Sequence, residues 1–205
     1  MITYKIHLIR HGQTKTNKDG IYIGRTDTPL CEAGAEELQQ LREDNIYPAA
    51  SKVYVSPLLR CVQTAEILYP DHWTETLDEL IEYDLGDFEG KSLLELKEEE
   101  SFLKWMEDSQ KNPPPNGETM DDLVKRCRSA LDHIFKEMMS DKLTSVAVVT
   151  HMGVIMAMLS AYAFPQRPMP EWNAENGKGF TLLMTPQSWM RDGKGEVFDL
   201  VPYEK

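Results

Sequence analysis

Tyr4-Lys5-Ile6-His7-Leu8-Ile9-Arg10-His11-Gly12 is the stretch from which the fold is read. Ile6, Leu8 and Ile9 predict a mostly buried strand over residues 4–10, and Gly12 breaks it. A guanidinium, an imidazole and a glycine then stand together at the carboxyl end of a strand. In open α/β sheets that end is where ligands bind. The residue types predict an anion site with a nucleophile or a base inside it.

Two further strands repeat the pattern. Ser145–Thr150 is apolar and runs into His151-Met152-Gly153. Val53–Val55 runs into Ser56-Pro57, which predicts a helix over 57–69 with Ser56 as its N-cap and Pro57 at its first position. That helix carries Arg60 in its first turn. Strands alternate with helices, so the sheet is expected to be largely parallel, and the carboxyl ends of parallel strands face the same way. Arg10, His11, Arg60 and His151 then converge in one crevice. Two guanidinium groups and two imidazoles suit a phosphoryl group, through bidentate and charge-assisted hydrogen bonds.

The rest of the chain is compatible with this core. Residues 14–24 read as a loop or a single turn, and 32–41 as a helix with Leu38 and Leu41 on one side. Residues 76–81 read as a short strand, followed by the acidic, glycine-bounded loop from Glu82 to Gly90. A helix over 92–106 is expected to break near 98–101, and Asn112-Pro113-Pro114-Pro115-Asn116-Gly117 is a clear stop. The longest helix covers 119–139, with an apolar stripe from Leu123 to Met138. An apolar helix covers 154–164. Two late strands, 180–184 and 196–201, are joined by a turn over 189–195.

Composition narrows the function classes. The chain has 205 residues, 41% of them hydrophobic, enough for one domain with a sizeable core. Its net charge of -12 disfavours nucleic acid and anionic membranes as partners, so an anionic substrate has to be attracted locally. Cys31, Cys61 and Cys127 form no C-x-x-C, which argues against a disulfide framework and for a reducing, cytoplasmic compartment. Lys5 and His7 interrupt the apolar run that a signal peptide needs.

A neutral histidine can attack phosphorus and carry the phosphoryl group covalently. The leaving oxygen then needs a proton, and Glu82 is the candidate acid if its pocket raises its pKa. No EF-hand loop, H-E-x-x-H or Walker sequence is present, so the expectation is a mechanism without a metal ion or other cofactor.

Together, Arg10-His11-Gly12-Gln13-Thr14, Asn17, Gly24-x-x-Asp27-x-Pro29-Leu30, Ser56-Pro57-Leu58-x-Arg60-x-x-Gln63-Thr64-Ala65, Glu82-x-x-x-Gly86-x-x-Glu89-Gly90, Gly117-Glu118 and His151-x-Gly153 resemble the histidine phosphatase superfamily, the phosphoglycerate-mutase-like group named for its RHG motif. The resemblance spans residues 4–160 and is weak beyond Pro165. It implies a three-layer α/β/α sandwich with a mostly parallel central sheet. A helical lid over about 86–140 would be inserted in the single domain 1–205. It implies that His11 is the phosphorylated nucleophile, that Arg10, Arg60 and His151 form the phosphate pocket with a donor from Asn17, and that Glu82 is the general acid. Ile23, Gly24 and Arg25 would border the substrate, Arg25 either touching it or solvated. Met152 and Met156 depart from the pattern of many relatives, which carry Gly and Arg there.

The expected activity is that of a phosphoric monoester hydrolase acting on a small phosphorylated metabolite. The Tyr22-x-Gly24 and 83–90 segments look most like the α-ribazole-phosphatase-like and broad phosphomonoesterase branch. The alternatives are a cofactor-dependent phosphoglycerate mutase and a non-catalytic phospholigand-binding protein. Mutases are longer after the acid motif and place a hydroxyl residue where this chain has Ile23. Non-catalytic relatives usually lose the nucleophile or the acid, and His11 and Glu82 are both present. His7, His72 and His133 read as structural or exposed, and Glu118 as a helix-start cap. Exposed apolar surface on the late strands could make a homodimer, whose interface the sequence does not place.

Overall fold

The structure, a computed structural model, describes residues 2–204. In chain order the elements are β1 (Tyr4–Arg10), α1 (Lys15–Lys18), α2 (Glu32–Asp44), β2 (Asn45–Ile46), β3 (Val53–Val55), α3 (Leu59–Leu68) and β4 (Thr74–Thr76). They continue with α4 (Leu93–Leu96), α5 (Glu100–Glu107), α6 (Met120–Ser140), β5 (Ser145–Thr150), α7 (Met152–Tyr162) and β6 (Ala163–Phe164). The chain closes with β7 (Gly179–Met184), α8 (Pro186–Asp192), β8 (Gly195–Val201) and β9 (Tyr203–Glu204).

Seven strands form one sheet in the order β4-β3-β5-β1-β7-β8-β6, and β2 pairs with β9 apart from it. Neighbours β4, β3, β5 and β1 run parallel, and β7 is the one antiparallel member. The expected mostly parallel α/β sandwich is therefore present. Alternation along the strands divides the core between the two faces. Ile6, Leu8, Val146 and Val148 pack with Leu123, Cys127 and Ile134 of α6 and with Ile155 and Leu159 of α7. Ile9, Val53, Val55, Ala147 and Val149 pack with Leu38 of α2 and with Cys61, Ala65 and Leu68 of α3. Among the described residues, no helix is long and apolar enough to cross a membrane.

Register places the site. Arg10 lies opposite Thr150, and Val55 opposite Val149, so β1, β3 and β5 end at one level. His11, Ser56 and His151 follow immediately on three neighbouring strands.

Three sequence expectations need correction. Residues 76–81 are not a strand: β4 covers Thr74–Thr76, because β3 offers only three residues to pair with, and a 3₁₀ turn occupies Asp78–Leu80. Residues 189–195 are not a simple turn: α8 fills Pro186–Asp192, started by the capping box of Thr185 with Ser188 and ended by Gly193 at φ 61°. Ser56 does not cap the helix after β3. That helix begins at Leu59, whose amide is taken by the Asp27 carboxylate at 2.8 Å, while the Ser56 hydroxyl turns to His151.

Candidate active site

His11 is buried at 4% exposure, and its Nδ1 lies 2.7 Å from the carbonyl of Gly12. A carbonyl only accepts, so Nδ1 carries the proton and Nε2 keeps the lone pair. Burial, with the charges of Arg60 and Arg10 beside it, holds its pKa well below the usual value. The ring is neutral and is a competent nucleophile at physiological pH.

The loop that holds His11 is fixed on all sides. The His11 amide donates to Thr150 O and the Gly12 amide to Thr64 Oγ1. Gly12 has no room for a side chain, since a Cβ would meet Leu38 Cδ1 at 2.5 Å. From far along the chain, Asn176 Nδ2 donates to His11 O at 2.8 Å and the Gly177 amide to Arg10 O at 3.0 Å.

His151 is fully buried, its ring centroid 5.2 Å from that of His11. Ser56 Oγ lies 2.7 Å from its Nε2. Burial first, then the neighbouring His11 and Arg60, keeps this ring neutral as well.

The two arginines are oriented by backbone carbonyls. Arg60, 2% exposed, donates to Gly24 O at 2.8 Å and Thr26 O at 3.0 Å. Arg10 Nη1 donates to Ala174 O at 2.8 Å, while its buried Nε has no protein partner. A buried guanidinium N–H without an acceptor is costly alone and is offset by an anion.

Glu82 lies within electrostatic reach of Arg60 and Arg10. Its carboxylate accepts from the Tyr83 amide at 2.8 Å and the Gly153 amide at 3.3 Å. Burial raises its pKa, against those two hydrogen bonds and the charges of Arg60 and Arg10. A neutral imidazole and a carboxyl with a raised pKa thus stand near two guanidinium groups, a combination suited to phosphoryl transfer.

The four residues expected to border substrate are placed as follows. Asn17 is engaged in a capping box with Thr14, its Oδ1 accepting the Thr14 amide at 3.2 Å. Ile23 is half-buried. Gly24 orients Arg60 through its carbonyl and packs closely on Tyr83 and Leu85, where a Cβ would collide with Tyr83 O. Arg25 pairs with Asp84 at 3.4 Å and Glu118 at 3.5 Å. Glu89 ties the same loop down by accepting from the Arg25 and Thr26 amides.

Glu118 is not the helix cap expected from sequence. Thr119 caps α6, and Glu118 instead pairs with Arg126, which sequence reasoning passed over. Outside this cleft, Glu75, His133 and Glu137 come together near the start of β3 and β4, where the ammonium of Lys52 bridges both carboxylates.

A buried neutral histidine after the first strand, a second histidine after a parallel neighbour and two carbonyl-oriented arginines point to one lineage, and the sequence model of the histidine phosphatase superfamily (branch 1) matches residues 6–191. The chain belongs to the histidine phosphatase superfamily. Within that superfamily it is 28% identical over 178 residues to the adenosylcobalamin/alpha-ribazole phosphatase of Escherichia coli K12, covering 84% of this chain and 86% of that one. It is 29% identical over 161 residues to phosphoserine phosphatase 1 of Hydrogenobacter thermophilus, covering 77% and 75%. The alpha-ribazole phosphatase structure from Shigella flexneri superposes with a TM-score of 0.78 at 24% identity, over 96% of this chain and 95% of that one, and shares the fold.

Proposed function

We propose that this protein is a phosphomonoesterase that hydrolyses a small phosphorylated metabolite through a phosphohistidine on His11. The observation that carries the reading is the His11–Gly12 hydrogen bond. It leaves Nε2 as a lone-pair donor in a cleft with the guanidinium groups of the half-buried Arg10 and the buried Arg60.

In the first step His11 Nε2 bonds to phosphorus as the bond to the leaving oxygen breaks. Glu82 gives that oxygen its proton. Arg10, Arg60 and His151 hold the equatorial oxygens as charge redistributes, with the Asn17 amide nitrogen a further donor. In the second step water attacks phosphorus, Glu82 takes the water's proton, the P–N bond breaks and His11 returns to its neutral form. The helices ahead of α6 within the 86–140 segment, with Phe102 and Trp105 packed against Tyr22 and Phe88 against Phe102, serve as the cover.

The rim favours an uncharged leaving group. Ile23 offers no donor to a substrate carboxylate, and the charge of Arg25 is already met by Asp84 and Glu118. A sugar- or nucleoside-like alcohol such as α-ribazole fits this rim better than an acidic one such as 3-phosphoglycerate.

The test is a panel of an aryl phosphate, α-ribazole phosphate, sugar phosphates, nucleotides, phosphoserine and 3-phosphoglycerate, with wild type beside His11→Ala. Labelled substrate and rapid acid-free denaturation trap the intermediate. The expected result is release of phosphate, label on His11 and loss of both in the variant. Turnover retained by a folded His11→Ala would overturn the reading.

A further inference from the structure

Arg126 lies on α6 and has no place in the phosphate cleft, yet each of its five guanidinium N–H groups has an acceptor. Nη1 donates to Glu79 O at 2.9 Å and Ile81 O at 2.5 Å. Nη2 donates to Glu82 O at 3.1 Å and Glu118 Oε2 at 2.9 Å, and Nε donates to Glu118 Oε1 at 2.7 Å. The remaining carbonyl of that run, Leu80 O, accepts from Thr150 Oγ1 at 2.8 Å. Four consecutive carbonyls, from residue 79 to residue 82, are therefore tied down by two side chains.

This run is the end of the single 3₁₀ turn and the two irregular residues after it, so its carbonyls have no continuing helix or strand ladder to join. Side chains supply what secondary structure does not. Glu118 extends the arrangement: its Oε2 lies 3.4 Å from the Asp84 amide, and the same carboxylate pairs with Arg25 on the rim.

We infer that Arg126, fixed by Glu118, is the positioning residue for the general acid: its fork on the Glu79, Ile81 and Glu82 carbonyls sets where the Glu82 carboxyl stands relative to the leaving oxygen. The inference rests on Glu82 acting as the acid. It is distinct from a charge effect, because the contacts to Glu79, Ile81 and Glu82 are planar, multiple and to backbone. A lysine ammonium keeps the charge and cannot reproduce the fork.

The experiment compares turnover of an alkyl phosphate, whose leaving oxygen needs a proton, with that of a nitrophenyl phosphate, whose leaving oxygen needs none. Variants Arg126→Met and Arg126→Lys are assayed beside wild type and Glu82→Gln, with melting temperature recorded for each. A double variant, Arg126→Met with Glu118→Gln, removes the buried carboxylate that the single variant leaves with Arg25 as its one cationic partner, and serves where the single one does not fold. The expected result is a drop of about 10²-fold in the alkyl-to-nitrophenyl ratio of kcat/KM, the low end of what general acid catalysis supplies. Arg126→Lys is expected to fall with Arg126→Met rather than to rescue it. An unaltered ratio in folded Arg126 variants, beside a lowered ratio in Glu82→Gln, overturns the positioning role alone. An unaltered ratio in Glu82→Gln shows that Glu82 is not the acid, and the inference fails with that reading.

Discussion

The amide of Gly153 donates to one oxygen of the Glu82 carboxylate at 3.3 Å, and a Cβ built on Gly153 would stand 2.6 Å from the other. The helix that follows His151 therefore presents bare backbone to the acid, and the approach depends on the missing side chain. Gly153→Ala pushes the carboxylate aside while leaving His11, Arg10 and Arg60 in place. The expected outcome is a kcat about 10²-fold lower on an alkyl phosphate and a smaller loss on a nitrophenyl phosphate. A variant with full alkyl activity would show that Glu82 needs no such contact.

Ser56 orients His151 by a 2.7 Å hydrogen bond in a fully buried setting. Ser56→Ala leaves a ring nitrogen without that partner, which costs about 1–3 kcal/mol of stability. It also frees the ring to turn, so inhibition by inorganic phosphate is expected to weaken by about 10-fold, the equivalent of roughly 1.4 kcal/mol. Thermal melts and phosphate inhibition measured on one preparation check both.

The pH dependence of catalysis has a definite sign. In the proposed mechanism turnover needs His11 neutral, which its lowered pKa secures well into acid, and Glu82 protonated, which its raised pKa favours. For an alkyl phosphate kcat/KM should fall as pH rises through the Glu82 pKa. That fall should be shallower in Glu82→Gln. A rate that rises steadily with pH from 5 to 8 would contradict the assignment of acid and nucleophile.

Stability should decline in acid for a related reason. His7, His11 and His151 are buried, and each has a folded-state pKa below the unfolded value of 6.5, His7 at about 4. Below pH 6.5 the unfolded chain binds protons that the folded chain refuses, so folding weakens as pH falls. His7 alone contributes about 3 kcal/mol of this loss between pH 6.5 and 4. Glu82 acts in the opposite sense, but it is one carboxyl against three imidazoles. Denaturant midpoints at pH 7, 6 and 5 should decrease in that order, and His7→Gln should flatten the trend.

Much of the fold and the core of the site could be read from sequence because both follow short-range signals. Apolar strands announce β1 and β5, and the residues that matter follow each strand immediately, so chain position already implies spatial position. The supporting contacts obey no such rule. Arg126 and Glu118 are eight residues apart, beyond the i to i+4 reach that helix reasoning tests, and Glu118 beside Thr119 looks like any helix-start acid. Asn176 and Ala174 act on His11 and Arg10 from more than 160 residues away, Ala174 through its backbone carbonyl. A carbonyl contact leaves no trace in side-chain type. The exchange at α3, where Asp27 caps the helix and Ser56 serves His151, was hidden because Ser-Pro carries a strong local helix signal that tertiary contact overrides.

The bracing of Arg10 and His11 by Ala174, Asn176 and Gly177 bears on how the protein is made. In a growing chain His11, Arg60 and Glu82 are made well before residues 174–177. The chain lacks the struts that hold the RHG loop until residues 174–177 have been synthesised. Assembly of the site is thereby tied to late synthesis: a chain halted before residue 174 carries His11, Arg60, Glu82 and His151 without the contacts that hold the RHG loop. Released fragments of that kind should be inert toward cellular phosphates.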